Sequence, residues 1–375
     1  MSADKKWLRK PLVSILVIMS LSFQSFVFAC TGITLTARDG SVVYGRTLEW
    51  GQFSMKSRVM ITPRNYEFAG TTPEGKNTGH KWTAKYGIVG IELLESDILA
   101  DAMNESGLTM GLFYHPGFAE YKEYDPSKAT DSITLVDLIP YVLGQCKSIQ
   151  CAREALTEVE VVAVVNPDFG FPPPGHAIIT APSGEAIVVE FLEGETVIFE
   201  APLGVITNSP TYDWHMTNLR NYLNLSAVAL PGKSIDDLDF TPLGGGSGMI
   251  GLPGDYTPPS RFVRAVAFSQ TARPTSDGPE TIYEVFRILD NFNLPLGSAE
   301  GSDASDGKID ERSATIWTTA HDTKNTVMYF HTQHNRRVQK VDLSKIDFAS
   351  MNEIQRISFG EKEQDIKDVT PKAVN

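Results

Sequence analysis

The chain shows two places where apolar and polar residues alternate in the manner of β-hairpins. Residues 33–37, the turn Asp39-Gly40 and residues 41–46 predict the first hairpin. Residues 177–181, a Pro182-Ser183-Gly184 turn and residues 186–191 predict the second, and a strand at 196–199 extends it. The second region is therefore expected to be a three-stranded meander.

Helical spacing of apolar residues marks the middle of the chain, and further strands follow. Helices are predicted at 133–145, 149–159, 214–225, 261–272 and 280–292, and strands at 315–319, 326–332 and 338–343. Strands, then paired helices, then strands indicate two sheets with helices packed outside them, an α+β sandwich. Because no repeat or linker interrupts the pattern, one domain is expected over 30–359, followed by a flexible tail at 360–375.

Composition narrows the classes of partner. The 375 residues include 33 Lys and Arg against 46 Asp and Glu, a formal charge of −13. An acidic chain binds phosphate backbones and anionic membranes poorly, so no nucleic-acid partner is expected.

The N-terminus has the organisation of a secretory signal. A basic patch is followed by an apolar run at 12–21, and Val27 and Ala29 occupy the −3 and −1 positions of a cleavage site. The run is shorter than the ~20 residues of a membrane span, so a retained anchor is the weaker alternative. Residues 1–29 are predicted to be removed, which makes the mature protein periplasmic or extracellular, without a stable membrane anchor.

Cleavage after Ala29 would make Cys30 the first residue. An α-amine of intrinsic pKa ~8 would then share one residue with a thiol of intrinsic pKa ~8.5, so that residue holds a base and a nucleophile. Two alternatives stay open: cleavage elsewhere, which leaves Cys30 a buried strand thiol, and a lipoprotein with a lipidated Cys30. Phe28 disfavours lipidation because a lipidation motif has a small residue there.

The other two cysteines, Cys146 and Cys151, have a spacing that fits neither redox C-x-x-C chemistry nor zinc binding. Ser148 between them is predicted to cap a helix. Two buried thiols are the default expectation, and a disulfide across the turn is the alternative in an oxidising compartment.

Two patterns that resemble cofactor or metal sites are not interpreted as such. Residues 246–251 read G-x-G-x-x-G, but Pro253 and the residues after it prevent the helix start that a dinucleotide fold needs. His331 and His334 fall on opposite sides of a predicted strand. No metal and no cofactor are therefore expected.

Together with Cys30, three segments resemble the choloylglycine hydrolase family, the N-terminal-nucleophile amidases that include bile salt hydrolases and penicillin V acylases. They are Gly45-Arg-Thr-Leu-Glu-Trp50, the Thr207-Asn-Ser-Pro segment, and the glycine-rich stretch that ends in Pro259-Ser-Arg261-Phe. The resemblance runs from Cys30 to about Leu343. It implies a four-layer αββα fold, a cofactor-free reaction and a homo-oligomer, a tetramer in the family.

The resemblance also assigns catalytic roles. Cys30 matches the nucleophile and base, and Arg46 matches an arginine whose charge would favour thiolate. Glu49 stands where the family usually has an aspartate thought to contact the α-amine. It is a departure by one methylene, so either the backbone compensates or Glu49 has a looser electrostatic role. Asn208 matches an oxyanion-hole amide, and Arg261 matches a charge of the transition-state network.

Substrate-binding positions follow from the same resemblance. Tyr114 aligns with a residue near the oxyanion that is often Tyr in penicillin V acylases and Asn in many bile salt hydrolases. Trp50 and Trp82 are aromatic candidates for an acyl pocket, and packing in the core is the alternative for Trp82.

The function expected is hydrolysis of a small-molecule linear amide through a thioester at Cys30, of the penicillin V acylase type. Hydrolysis of acyl-homoserine lactones or of conjugated bile salts is the alternative within the class. An exported lipoprotein or binding module with a lipidated Cys30 is the non-enzymatic alternative.

Overall fold

The computed structural model describes residues 29–51, 54–301, 312–360, 364 and 366–371. The predicted signal segment lies outside the described residues except for Ala29, and the predicted tail lies only partly within them. Strands β1 to β19 are, in chain order, Thr31–Thr36, Val42–Trp50, Arg58–Thr62, Glu67–Ala69, Lys81–Thr83, Ile88–Leu93, Ile98–Asn104, Thr109–Tyr114, Ser132–Ile133, Glu160–Val161, Gly175–Thr180, Ala186–Leu192, Glu195–Glu200, Lys233–Ile235, Leu238–Phe240, Ala314–Asp322, Val327–Thr332, Gln339–Asp342 and Gln355–Ser358.

Five α-helices are described within these ranges, together with short 3₁₀ turns. Helices α1 to α5 are Leu138–Gln145, Ile149–Thr157, Tyr212–Asn218, Pro258–Thr271 and Gly278–Leu289. The 3₁₀ turns are Pro126–Asp131, Leu135–Asp137, Leu219–Tyr222, Ser247–Met249, Asp290–Phe292 and Leu343–Lys345. None of the helices in the described part of the chain has the length and apolarity that a membrane span requires.

Two antiparallel sheets form the centre of the fold. The first has the order β1-β2-β16-β17-β18, and the second has the order β13-β12-β11-β8-β7-β6-β3-β19. Helices α4 and α5 pack on the first sheet, and α1 packs on β7 and β8 of the second. Side chains of β2 reach the second sheet, because the Arg46 guanidinium donates to the backbone carbonyls of Ala100 and Leu112. The layers are therefore αββα, which confirms the predicted fold class.

Both predicted hairpins are present. In the first, Thr36 pairs with Val42 across the Asp39-Gly40 turn, where Gly40 has a φ of 80°. In the second, Thr180 pairs with Ala186, and β13 continues the meander along β12. The strands between 58 and 114, which supply four of the eight strands of the second sheet, were not identified from the sequence.

The predicted helix at 133–145 is wrong in its first turn. Ile133 belongs to β9, where it pairs with Val161 of β10. The Asp137 carboxylate accepts hydrogen bonds from the backbone N–H and the hydroxyl of Thr134. This capping arrangement holds a 3₁₀ turn, and the α-helix begins only at Leu138.

The default expectation for Cys146 and Cys151 is also wrong, because the two form a disulfide. Ser148 caps α2 by accepting from the Cys151 N–H, as predicted. The cap turns the chain between α1 and α2 and brings the two sulfurs together.

Candidate active site

Cys30 lies just before β1, and the first sheet fixes its position. Thr31 pairs with Thr47 of β2, so the nucleophile candidate sits beside the C-terminal half of that strand. On its other side Gly32 exchanges backbone hydrogen bonds with Ile206. A Cβ on Gly32 would lie 2.8 Å from Phe113 and 2.9 Å from Ile206, so only glycine permits this approach. The next residues after Ile206, Thr207 and Asn208, are thereby brought beside Cys30.

Asn208 contacts Cys30 directly. The backbone N–H of Cys30 donates to Asn208 Oδ1 at 3.0 Å, and Arg261 Nη2 donates to the same oxygen at 2.6 Å. Asn208 Nδ2 donates to the Tyr114 carbonyl at 2.8 Å. An amide nitrogen carries two hydrogens, so the second remains for a ligand.

Arg261 joins α4 to the nucleophile segment. The Asp255 carboxylate accepts from Thr257 and Ser260 at the start of α4, which places Arg261 in the first turn. Its Nη1 donates to the Cys30 carbonyl and, at 3.0 Å, to Thr31 Oγ1. Burial lowers the pKa of Arg261 to about 10, which leaves the guanidinium charged at neutral pH.

Arg46 and Glu49 lie in different surroundings on β2. Arg46 is fully buried, with its guanidinium 4.2 Å from the centre of the Phe113 ring. Its Nη2 has no hydrogen-bond partner among the described residues. Glu49 accepts from Thr315 Oγ1 of β16 at 2.9 Å, and burial raises its pKa to about 7.

The thiol of Cys30 is buried in the full chain. Burial raises the pKa of Cys30, while the charge of Arg46 and the backbone N–H of Glu49 act in the opposite direction. The charge of Arg46 thus acts toward thiolate, as expected, although burial outweighs it. In the full chain the Cys30 nitrogen is an amide, and it donates to Asn208 Oδ1.

A cavity of about 80 Å³ opens at Cys30. Trp50 and Tyr114 line it, as the sequence predicted, and so do Arg46 and Glu49. Burial raises the pKa of the Tyr114 phenol, which is therefore a neutral donor. The apolar part of the wall consists of Leu48, Met55, Leu93, Ile98, Leu99, Ala100, Leu112, Phe113, Leu135, Val136, Phe169, Pro173 and Pro174.

Trp82 lies away from this cavity, against the expectation that it lines an acyl pocket. It belongs to β5 and packs in the core between the second sheet and α1, with its ring 5.2 Å from Phe68 and 5.4 Å from Tyr141. Its indole N–H donates to the Pro140 carbonyl at 3.2 Å. Trp82 is thus separated from Cys30 by the thickness of the second sheet.

A buried polar cluster behind Asn208 was missed at the sequence level. His115, His176 and Glu190 offer ligand atoms within 4.8 Å of one another, and Nε2 of His215 donates to the backbone carbonyl oxygen of Asn208 at 2.9 Å. The His115 and His176 rings stack with 11° between their planes. Ring lone pairs lie in the ring plane, so two parallel rings do not converge on one metal ion.

The register of the second hairpin could have revealed part of that cluster. Ala177 pairs with Val189, so His176 and Glu190 are the next residues facing each other across the two strands. A carboxylate opposite an imidazole inside otherwise apolar strands is a signal for a buried network.

The fold and the site define an N-terminal-nucleophile hydrolase. The family model described as "Linear amide C-N hydrolases, choloylglycine hydrolase family" matches residues 30–357. The chain therefore belongs to the choloylglycine hydrolase family, and it is an N-terminal cysteine hydrolase of linear C–N amides. The predicted family and class of enzyme are confirmed.

Relatives include both branches of the family. A bile salt hydrolase/transferase of Clostridium perfringens is 30% identical over 334 residues, which cover 88% of this chain and 97% of that protein. A penicillin V acylase of Pectobacterium atrosepticum is 23% identical, over 82% of this chain and 78% of that protein. A crystal structure of a mutant conjugated bile acid hydrolase from Clostridium perfringens superposes with a TM-score of 0.78 at 28% identity, over 91% of this chain and 100% of that chain.

Proposed function

We propose that this chain hydrolyses amides with a small aromatic acyl group, a specificity of the penicillin V acylase type. The cavity at Cys30 carries the proposal. Its volume is about 80 Å³, its walls are mostly apolar, and Trp50, Phe113 and Phe169 supply flat aromatic surfaces. Flat aromatic walls favour a planar acyl group next to the sulfur.

The catalytic cycle needs no group outside the site. After removal of Ala29, the free α-amine of Cys30 accepts the thiol proton, and the sulfur attacks the amide carbonyl. The remaining N–H of Asn208 Nδ2 stabilises the tetrahedral oxyanion, with the charges of Arg46 and Arg261 nearby. The protonated amine then gives its proton to the leaving nitrogen, and water hydrolyses the thioester.

Processing of the chain and its export are part of the proposal. In the described chain Ala29 is buried and acylates the nitrogen that must act as base. The family match also begins at Cys30. A signal segment cleaved after Ala29 would supply the free amine and deliver the enzyme to the periplasm or medium, whereas a lipidated Cys30 would be inactive.

Conjugated bile salts are the second candidate substrates. A cleft of about 460 Å³ adjoins the cavity and shares four wall residues with it, Ile98, Leu135, Val136 and Pro173. A bulky acyl group could lie in this cleft with its amide at Cys30. The bile salt hydrolase relatives at about 30% identity favour this candidate.

A substrate panel separates these candidates. Exported, processed enzyme is assayed for kcat/KM with penicillin V, glycine- and taurine-conjugated bile acids, and acyl-homoserine lactones. The highest kcat/KM is expected for penicillin V. A bile conjugate hydrolysed faster than penicillin V would overturn the small-acyl proposal and assign the cleft to the acyl group.

Homo-oligomerisation is proposed from an exposed apolar hairpin. Strands β14 and β15 expose Ile235, Leu238 and Phe240, each more than half accessible, and Leu243 follows. A second copy of the chain would cover them, in keeping with the tetramer expected from the family. Light scattering of the wild type and of Leu238→Asp tests this, and a monomeric wild type would contradict it.

A further inference from the structure

The segment that carries Asn208 is held at both ends by one buried pair of side chains. Nε2 of His176 lies 3.1 Å from the backbone carbonyl oxygen of Thr207. Oε1 of Glu190 accepts the backbone N–H of Tyr212 at 2.9 Å. The two side chains meet, with His176 Nδ1 3.0 Å from Glu190 Oε1. Residues 207–212 are thus bracketed by a histidine on β11 and a glutamate on β12.

These contacts determine how many ionisable protons His176 and Glu190 carry between them. A carbonyl oxygen only accepts, so Nε2 of His176 must carry a hydrogen toward Thr207. In a neutral imidazole with that hydrogen, Nδ1 has no hydrogen and can only accept. An ionised carboxylate oxygen also only accepts, so the two atoms cannot form a hydrogen bond without a further proton. One additional proton must therefore lie between Nδ1 and Oε1, on either atom.

We propose that His176 and Glu190 form a proton-sharing clamp that positions Asn208 for catalysis, and that loss of the shared proton releases one end of the segment. The proposal rests on the proposed oxyanion role of Asn208. Without the shared proton, the one hydrogen of neutral His176 lies on Nδ1 and is donated to the charged Glu190 oxygen, the stronger acceptor. Thr207 then loses its donor, while Glu190 still accepts from Tyr212. His176 and Glu190 are positioning residues, because they act through the backbone on either side of Asn208.

The charged and titratable groups around the clamp come from two further segments. His115 follows β8, stacks 4.2 Å from the His176 ring and has its Nε2 3.9 Å from Glu190 Oε1. Asp213 and His215 face the pair from α3. Burial lowers the pKa of His115 to about 3 and of His215 to about 4, so both are neutral near pH 7.

Burial also decides where the shared proton resides. It lowers the pKa of His176 to about 4 and raises the pKa of Glu190 to about 7. The proton accordingly stays on Glu190 below neutrality and is lost as the pH rises through about 7. The clamp is intact on the acidic side, so kcat should fall along an alkaline limb.

Glu190→Gln tests the clamp with an isosteric change. The wild-type Oε1 serves both His176 and Tyr212, but an amide oxygen cannot donate to His176 and an amide nitrogen cannot accept from Tyr212. We expect kcat to fall by about 10-fold to 100-fold with little change in KM, because the donor acts on transition-state charge. The alkaline limb near pH 7 should disappear. His331→Gln, another buried histidine that contacts Phe286, is the matched control and should keep the wild-type profile.

A double variant with Asn208→Ala distinguishes failure of the clamp from failure of the proposed function. In an Asn208→Ala background, Glu190→Gln should lower kcat no further. Additive losses, or a Glu190→Gln variant with wild-type kcat and limb, would overturn the clamp while leaving the proposed function intact. A silent Asn208→Ala would instead show that the oxyanion assignment itself has failed, and the clamp with it. Should Glu190→Gln melt below the assay temperature, Glu190→Asp carries the test: it keeps a shareable proton, so an alkaline limb must remain at lower kcat.

Discussion

The two cores of the sandwich share the second sheet but hold different side chains. The buried ionisable groups around the core between the sheets include Arg46, Glu49 and Arg261. The core between the second sheet and α1–α2 is built around Trp82 and Tyr141, with aromatic and aliphatic neighbours. Burying charge costs several kcal/mol unless partners compensate it, whereas burying apolar groups stabilises the fold. Substitutions should therefore affect activity at the first core and stability at the second.

The largest effect is expected at Cys30. Cys30→Ser leaves the packing nearly unchanged but replaces a thiol by a hydroxyl that is hardly ionised at neutral pH. We expect kcat to fall at least about 10³-fold with an unchanged melting temperature. Intact mass of the exported wild type should correspond to residues 30–375. Full activity in a product that begins before Cys30 would exclude the amine as base.

Asn208→Ala should have the next largest effect. Loss of one oxyanion donor typically lowers kcat by about 10² to 10³-fold, with a smaller change in KM. Asn208 also accepts from Cys30 and Arg261, so a modest loss of stability should accompany it. Steady-state kinetics separate the roles, because a change in KM alone would assign Asn208 to substrate binding.

Glu49→Gln should lower kcat about tenfold, because it keeps the shape of the side chain and removes charge near the α-amine. It should also change the pH dependence of stability. The folded state retains a proton on Glu49 up to about pH 7, whereas the unfolded state releases it near pH 4.5. Ionisation thus destabilises the wild type as the pH rises through this window, and the stability advantage of Glu49→Gln should grow from pH 5 to pH 7.5.

Glu92→Gln is the control with the opposite sign. Burial opposes ionisation of Glu92, but its hydrogen bonds and ion pair with Arg58 outweigh burial and lower its pKa. Glu92 therefore stabilises the fold above its unfolded pKa, and this contribution is lost as the pH falls. Denaturant unfolding of both variants at several pH values measures the contrast. A stability difference between Glu49→Gln and the wild type that does not change with pH would show that Glu49 is fully ionised in the folded state.

Glu49→Asp tests whether the backbone has adapted to the longer side chain. A loss of kcat in this variant would show that it has.

Sequence patterns predicted the part of the site that is local in the chain. The Asp39-Gly40 turn and the alternation around it placed Cys30 beside Arg46 and Glu49, because a hairpin is specified by its own residues. The aromatic wall was only half predicted, since Trp50 lines the cavity and Trp82 does not. The residues around Trp82 do not indicate on which face of the second sheet its side chain packs.

Contacts between distant segments explain what was missed. The disulfide forms because the turn capped by Ser148 brings the ends of α1 and α2 together. The spacing of the two cysteines alone does not show that the helix ends meet. His176 and Glu190 face each other by hairpin register, which the sequence contains, but their grip on residues 207–212 is tertiary. Buried polar networks of this kind become visible only once the backbone is assembled.

The smallest effect on activity, and the most direct comparison of the two cores, comes from the tryptophans. Trp50→Leu should lower kcat/KM for aromatic acyl substrates by about 10-fold, since Trp50 forms the cavity wall and stacks edge-on against Phe169 at 5.8 Å. Trp82→Leu should leave kcat/KM within about twofold and lower stability by about 2–4 kcal/mol, because it empties part of a packed aromatic cluster. Both variants remove the same atoms, so differences between them in melting temperature and kinetics reflect only where the tryptophan lies. A Trp82→Leu enzyme with normal stability and impaired turnover would mean that the second core reaches the active site after all.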